Sequence, residues 1–270
     1  MSIFIPRIEQ LSHRIIRILG CNPGPFTLQG TNTYLIGTGE KRILLDAGEK
    51  GFPEYTSNLR KVLDDHKCGI QEIVITHFHH DHLGGVPDVC EKVIKDFSVK
   101  VSKYPRPGGD EDPGVGIKYT FVKDEHVFKT QGGSLVTMFT PGHADDHMCL
   151  YLEEENAVFT GDTVLGEGTT TMDDLYDFME SLHKILGRKP SILYPAHGPV
   201  VTDPCKHIHE YINHRNLREN QIIQVLTENV NQWMSAMELV KIIYKDVAEN
   251  LHFAAEKNVS LHLGKVTKRE

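Results

Sequence analysis

Cysteine is scarce in this 270-residue chain: Cys21, Cys68, Cys90, Cys149 and Cys205 are all there is. They are scattered, odd in number and form no C-x-x-C pair. That argues against a disulfide framework and points to a reducing, intracellular compartment. Long apolar runs are missing as well. No stretch approaches the ~20 residues that a membrane-crossing helix needs, so no membrane partner is expected. No secretory signal pattern is present. Positive charge is not in excess: 29 Lys and Arg stand against 37 Asp and Glu, a formal net charge of −8. Such a chain does not hold nucleic acid through its overall charge, and any contact of that kind needs a local basic patch. Only the first seventeen residues lean the other way, with Arg7, Arg14 and Arg17 against Glu9, a pattern that hints at a mitochondrial presequence.

What the chain does have is histidine, sixteen in all. The stretch THFHHDHLGG, residues 76–85, places His77, His79, Asp81 and His82 like metal ligands. Imidazole and carboxylate together suit a borderline divalent ion such as zinc. His80 falls in the alternating gap and is read as a non-ligand. The apolar run before Thr76 reads as a buried strand, and Val86, Val89, Val93 and Ile94 carry a helical pattern. The cluster therefore belongs to a strand-to-helix loop at a sheet rim. In an extended stretch His77, His79 and Asp81 share one side, while His82 points elsewhere. That arrangement suits two metals better than one.

The rest of the chain repeats this grammar. Strands are expected over 14–19, 33–36, 42–46, 118–122, 126–129, 134–140, 148–152, 157–160 and 192–194. Pro53 opens a helix with Tyr55, Leu59, Val62 and Leu63 on one face. A second helix starts near Asp173, with Leu175, Met179, Leu182 and Leu186 inward and Gly187 just past its end. The stretch Pro105 to Gly116 reads as a long exposed loop. Strand after strand ends on a titratable residue: Asp46, the 77–82 cluster, His143, Asp162, His197. Chance placement would scatter them.

The contexts T-H-x-H-x-D-H, P-G-H, G-D and A-H-G resemble the metallo-β-lactamase superfamily, over roughly the first 200 residues. The resemblance implies an α/β fold, an αββα sandwich, with two zinc ions (Zn2+) per chain. It implies that one ion takes His77, His79 and His143, and the other Asp81, His82 and His197. Asp162 bridges them, Asp81 and Asp162 are the catalytic carboxylates, and Asp46 supports the ligand loop from behind. Within the superfamily the chain is similar to the glyoxalase II-like branch and, through CNPGPFTLQGTNTYLIGTG, TPGHADDHM, LGEGTT and HRNLRENQI, to the β-lactamase-like protein 2 group. That likeness implies a zinc-dependent endoribonuclease that cleaves phosphodiester bonds of single-stranded RNA by a metal-bound hydroxide, in mitochondria. Between Asp162 and His197 there is no room for the large inserted cap of the superfamily's DNA-processing nucleases, and no insertion long enough for the arm of its tRNA-processing members. Asn32, Thr33 and the Gly166–Thr170 loop are candidates for substrate contact.

Two domains are expected, 1–202 with the metal motifs and 203–270 as a small helical, winged-helix-like unit. Asp203 with Pro204 starts one helix, with Ile208, Tyr211, Ile212, Ile222 and Leu226 inward. Ser235 to Glu238 is a capping box with Met234 and Leu239 as its staple. Leu251, Ala254, Ala255 and Leu263 suggest a third helix. The chain stops at Glu270, where a β wing would follow. Arg215, Arg218, Lys241, Lys245, Lys265, Lys268 and Arg269 give this unit local positive charge, a weak pointer to RNA. Three other readings compete with the endoribonuclease: a glyoxalase II-like thioester hydrolase with the same ligands, a mononuclear iron dioxygenase on this fold, which the intact Asp81, His82 and His197 set argues against, and a non-catalytic RNA-binding module with a vestigial metal site.

Overall fold

Apolar side chains on both faces of the strands decide the layering. The computed structural model describes residues 3–110, 114, 116–245, 248 and 252–267. Seven strands form one sheet in sequential order: β1 (Ile8–Ser12), β2 (Ile15–Leu19), β3 (Asn32–Ile36), β4 (Lys41–Leu45), β5 (Gly69–Val74), β6 (Lys100–Lys103) and β7 (Tyr119–Phe121). Five form the second: β8 (Val127–Thr130), β9 (Gly133–Phe139), β10 (Met148–Leu152), β11 (Ala157–Gly161) and β12 (Ile192–Pro195), in the order β12-β11-β10-β9-β8. Strand side chains alternate with period two. Ile43, Leu45 and Tyr34 of the first sheet therefore meet Leu135, Leu150 and Phe159 of the second in a central layer. Their neighbours Leu44 and Leu35 point outward, under α1 (Pro53–Asp65).

The helices complete four layers. α1 buries Tyr55, Leu59, Val62 and Leu63, the face the spacing predicts. After it come the short turns α2 (His80–Leu83) and α3 (Val86–Asp88), the latter widening into a π turn at Val89–Ile94. On the other side, α4 (Leu175–Gly187) and the start of α5 (Pro204–Glu228) cover Met138, Cys149, Val158 and Leu193. Each buried Leu, Ile or Phe stabilises by roughly 1.5–3 kcal/mol. A surface ion pair contributes about 0–1 kcal/mol. The three apolar layers, not the surface charges, hold the sandwich.

Some boundaries differ from the sequence reading. The N-cap of α4 is Asp174, which accepts from Asp177 N, because Gly142 O takes both Asp173 N and Asp174 N and delays the helix. Gly187 is the last helical residue rather than the one past the end, and Ile185 is more deeply buried than Leu186. β1 and β6 were not anticipated; β1 is a half-buried edge strand rich in polar residues, and β6 is only four residues long.

α5 is one continuous helix of 25 residues, capped by Asp203. Ile208, Tyr211 and Ile212 pack on the sandwich. Further along, Ile222 joins a separate small core with Leu239 and Val240 of α6 (Ala236–Ile243) and Ala255 and Val259 of α7 (His252–Thr267). Ser235 and Glu238 form the expected capping box. Leu251, Lys268 and Arg269 lie outside the described residues, as does part of the 105–116 stretch. Among the basic residues of the tail, Arg215 and Lys265 are buried and are withdrawn from its surface; Lys265 pairs with Glu219.

Candidate metal centre

Five strand ends deliver their next residues to one rim. β4 and β5 run parallel, and so do β11 and β12. β9 points the same way as β11, since each is antiparallel to β10. The loops are then tied across the sheets: Met148 N donates to Thr76 O at 2.9 Å and Asn32 N to Ala196 O at 2.6 Å. Asp46, residues 77–82, His143, Asp162 and His197 meet as a result.

They meet as two groups. His77 Nε2 lies 2.9 Å from His79 Nδ1 and 3.3 Å from His143 Nε2, and the latter two are 3.1 Å apart. Asp81, His82 and His197 make the second group, with Asp81 Oδ2 at 3.2 Å from His82 Nε2 and 3.3 Å from His197 Nε2. Asp162 faces both: Oδ2 is 3.5 Å from His143 Nε2, while Oδ1 is 3.2 Å from His197 Nε2 and 3.5 Å from His82 Nε2. The alternation expected over 77–82 fails after His79. His79 is extended, but His80 begins α2, so Asp81 swings to the second group instead of standing beside His77 and His79. His80 is exposed.

Backing residues aim the ligands. Asp46 takes a left-handed backbone, φ 57°. Its carboxylate accepts from Thr76 N (2.8 Å), Thr76 Oγ1 (3.0 Å) and His82 Nδ1 (2.8 Å), which turns His82 Nε2 toward the site. His143 Nδ1 donates to Thr171 O at 2.8 Å and lies 3.1 Å from Thr170 Oγ1. Asn32 and Thr33 do not line the cleft above the site. Both are buried, with Asn32 donating to Pro195 O and Gly198 O and Thr33 to Ile18 O. Their neighbour Thr31 reaches the site instead, donating to Asp81 Oδ2 at 2.8 Å and itself held by Asn22.

His147 was missed by sequence reasoning. Its Nε2 accepts from Asp162 N at 3.0 Å, and its Nδ1 meets Thr140 and Thr163 hydroxyls. Burial, then neighbouring histidines, hold its pKa well below the usual value, so it is a neutral prop for the backbone of Asp162. The glycine of the G-D motif was the available signal. Gly161 has φ 49°, and a Cβ there would lie 2.4 Å from His147 Nε2.

Above the floor lies a cleft of about 240 Å³, lined by Phe26, Leu28, Leu165 and the 167–171 loop together with five of the ligand candidates.

The profile of the metallo-β-lactamase superfamily matches residues 26–197. The chain belongs to this superfamily. A second profile, the β-lactamase associated winged helix domain, matches residues 235–270. A "Beta-lactamase-like protein 2 homolog" of Drosophila melanogaster is 43% identical over 267 residues, 98% of this chain and 91% of that protein. A "Thioesterase pkgB" of Emericella nidulans is 44% identical over 223 residues, 82% of this chain and 62% of that protein. Among solved structures, a β-lactamase domain protein of Burkholderia ambifaria superposes with a TM-score of 0.76 at 17% identity, over 97% of this chain and 89% of that one. It shares the fold.

The superfamily's His/Asp cluster implies divalent metal, and the residues fit it. Four ligands about 2.1 Å from one tetrahedral ion lie roughly 3.4 Å apart. The separations above straddle that value. His82 Nε2 and Asp162 Oδ1 are buried without hydrogen-bond partners, which a cation between them would relieve.

The two groups differ in protonation. Burial, then His82 and His143, push the His77 pKa well down. Burial, then His143, brings His79 to about 4. Burial also opposes protonation of His82 and His197. The carboxylates outweigh it there, raising His82 well above its usual value and His197 to about 9. An ion entering the first group at neutral pH displaces no proton from His77 or His79. One entering the second must displace protons from His82 and His197, a penalty that grows as pH falls below about 9. Metal-free chain titrated with zinc is therefore expected to fill the first group at pH 6 and the second only as pH rises toward 8.5. Elemental analysis at each pH checks this. Simultaneous loading at pH 6 would refute it.

Proposed function

We propose that the chain is a zinc-dependent endoribonuclease that hydrolyses phosphodiester bonds of single-stranded RNA, with a mitochondrial location. The observation that carries this reading is Asp162, whose two oxygens face two separate ligand groups. Paired divalent sites are a recurrent arrangement for in-line displacement at phosphorus. His77, His79 and His143 would hold one ion, Asp81, His82 and His197 the other, with Asp162 shared. When bound, such ions supply Lewis acidity and lower the pKa of water.

The chain's own residues do the rest. The cleft admits a flexible strand, whose phosphate can bend down to the floor; a duplex backbone is stiffer. Phe26, exposed at the rim, offers a ring face to a base. The histidines lining the cleft, His79, His143 and His197, are all ligand candidates, which leaves no histidine pair there to activate a ribose hydroxyl. Cleavage should then leave a 5′-phosphate and a 3′-hydroxyl. Chelation should abolish it, and a 2′-O-methyl group at the cut should change rate only through fit. Mapping product ends on a defined single strand tests the reading. A 2′,3′-cyclic phosphate, or cleavage that survives both chelation and His79→Ala, would falsify it.

Thioester hydrolysis is the second reading, favoured by the fungal relative, a thioesterase. That match covers 82% of this chain, whereas the β-lactamase-like protein 2 homolog matches 98%. Side-by-side assays with an acyl thioester and with RNA discriminate: metal-dependent turnover of the thioester alone would replace the first reading.

A further inference from the structure

A second cavity, of about 270 Å³, opens beside the metal cleft, and Gly168 and Thr169 line both. Its remaining wall is one face of α5: His207, Glu210, Tyr211, His214 and Arg215, at i, i+3, i+4, i+7 and i+8. Arg215 is 5% exposed. Its Nη2 donates to Thr169 Oγ1 at 2.9 Å and Thr170 O at 3.3 Å, but its Nε is buried with no acceptor. Among the other buried cations, Lys103 has Asp110 and Asp146, Lys265 has Glu219 and Arg17 has Glu9, whereas Arg42 donates to Gly39 O and has no ion pair among the described residues. Arg215 has no such ion pair among the described residues. The carboxylate of the wall, Glu210, is exposed to solvent. A buried guanidinium without a counter-ion is unfavourable until an anion arrives. Its planar fork fits phosphate oxygens.

We propose that this cavity is a phosphate subsite, in which Arg215 and the Thr169 hydroxyl receive a phosphate of the substrate other than the one at the metal cluster. The proposal rests on the reading above for the identity of the substrate. The phosphate could come from an RNA phosphodiester or from a phosphopantetheine arm. Arg215 also braces the 169–170 loop, whose Thr170 Oγ1 lies 3.1 Å from His143 Nδ1. A purely structural role would therefore show itself as lost metal.

The test uses the zinc-saturated full chain, titrated by calorimetry with inorganic phosphate, a thymidine trinucleotide and 4′-phosphopantetheine. Zinc content is measured in parallel. Arg215→Met should lose one phosphate equivalent and weaken at least one organic probe by about tenfold or more, with zinc unchanged. Arg215→Lys should fall between. The inorganic phosphate arm reports the subsite whether or not RNA is the substrate. The trinucleotide and phosphopantetheine arms then tell the two sources apart. Wild-type stoichiometry and affinities for all three probes in Arg215→Met overturn the proposal, as does an effect that merely follows lost zinc. Should Arg215→Met fail to fold, Arg215→Lys decides, and affinities within about twofold of wild type overturn it.

Discussion

Replacing Asp162 with alanine should empty both ligand groups and lower hydrolytic turnover by about a thousandfold or more. The reason is geometric. Asp162 Oδ1 serves His82 and His197, and Oδ2 serves His143, so one substitution takes a donor from each group. Burial opposes its charge, yet His197 and His82 hold its pKa well below the usual carboxylate range, so it is ionised wherever metal would bind. His143→Ala is the contrast. It removes a donor from one group and leaves Asp81, His82 and His197 in place. Elemental analysis after dialysis against buffered zinc should give far less than one ion for Asp162→Ala and about one for His143→Ala. Two retained ions in Asp162→Ala would mean that the carboxylate does not bridge.

The second large effect is expected at a residue that touches no metal. Asp46→Asn keeps the size of the side chain, and asparagine tolerates the left-handed backbone at this position. The amide oxygen can still accept from Thr76 N. The amide nitrogen, however, would donate toward His82 Nδ1, which now donates to Asp46 Oδ2. His82 must then carry its proton on Nε2, the atom aimed at Asp81 and Asp162. A protonated Nε2 cannot ligate, so zinc affinity of the second group should fall by about 10–100-fold with folding largely kept. Asp46→Ala goes further. It strands buried donors on Thr76 and His82 and should cost on the order of 3 kcal/mol of stability. Zinc titration and thermal melts separate the two variants. Unchanged zinc binding at the second group in Asp46→Asn would refute the tautomer argument.

Much of this was legible beforehand because its signals are local. Strands announced themselves by apolar runs, and the ligand motifs sit immediately after them. What escaped depended on tertiary context. Alternation placed Asp81 with His79, but one helical turn at His80 moved it, and a turn of four residues leaves no periodicity to read. Asn32 and Thr33 sit at the right height on the rim, yet their side-chain donors are spent on backbone carbonyls, and Thr31 alone turns toward Asp81. His147 gives no signal apart from Gly161, because its partner is a backbone N–H fifteen residues past it in the chain. Arg215 and Lys265 read as surface charge until packing buried them.

The candidate ligands of each group come from both sheets. His77, His79, Asp81 and His82 follow β5, whereas His143, Asp162 and His197 follow strands of the other sheet. Neither group exists in any short fragment: His77 and His143, for example, are 66 residues apart. Such contacts are slow to form, since loop closure must precede them. An ion that binds either group recognises only the finished sandwich and acts as a clasp between its halves. At a hundredfold excess over its Kd, each ion would add about 2.7 kcal/mol to the folded state. Metal supply would then set how long a folded molecule survives.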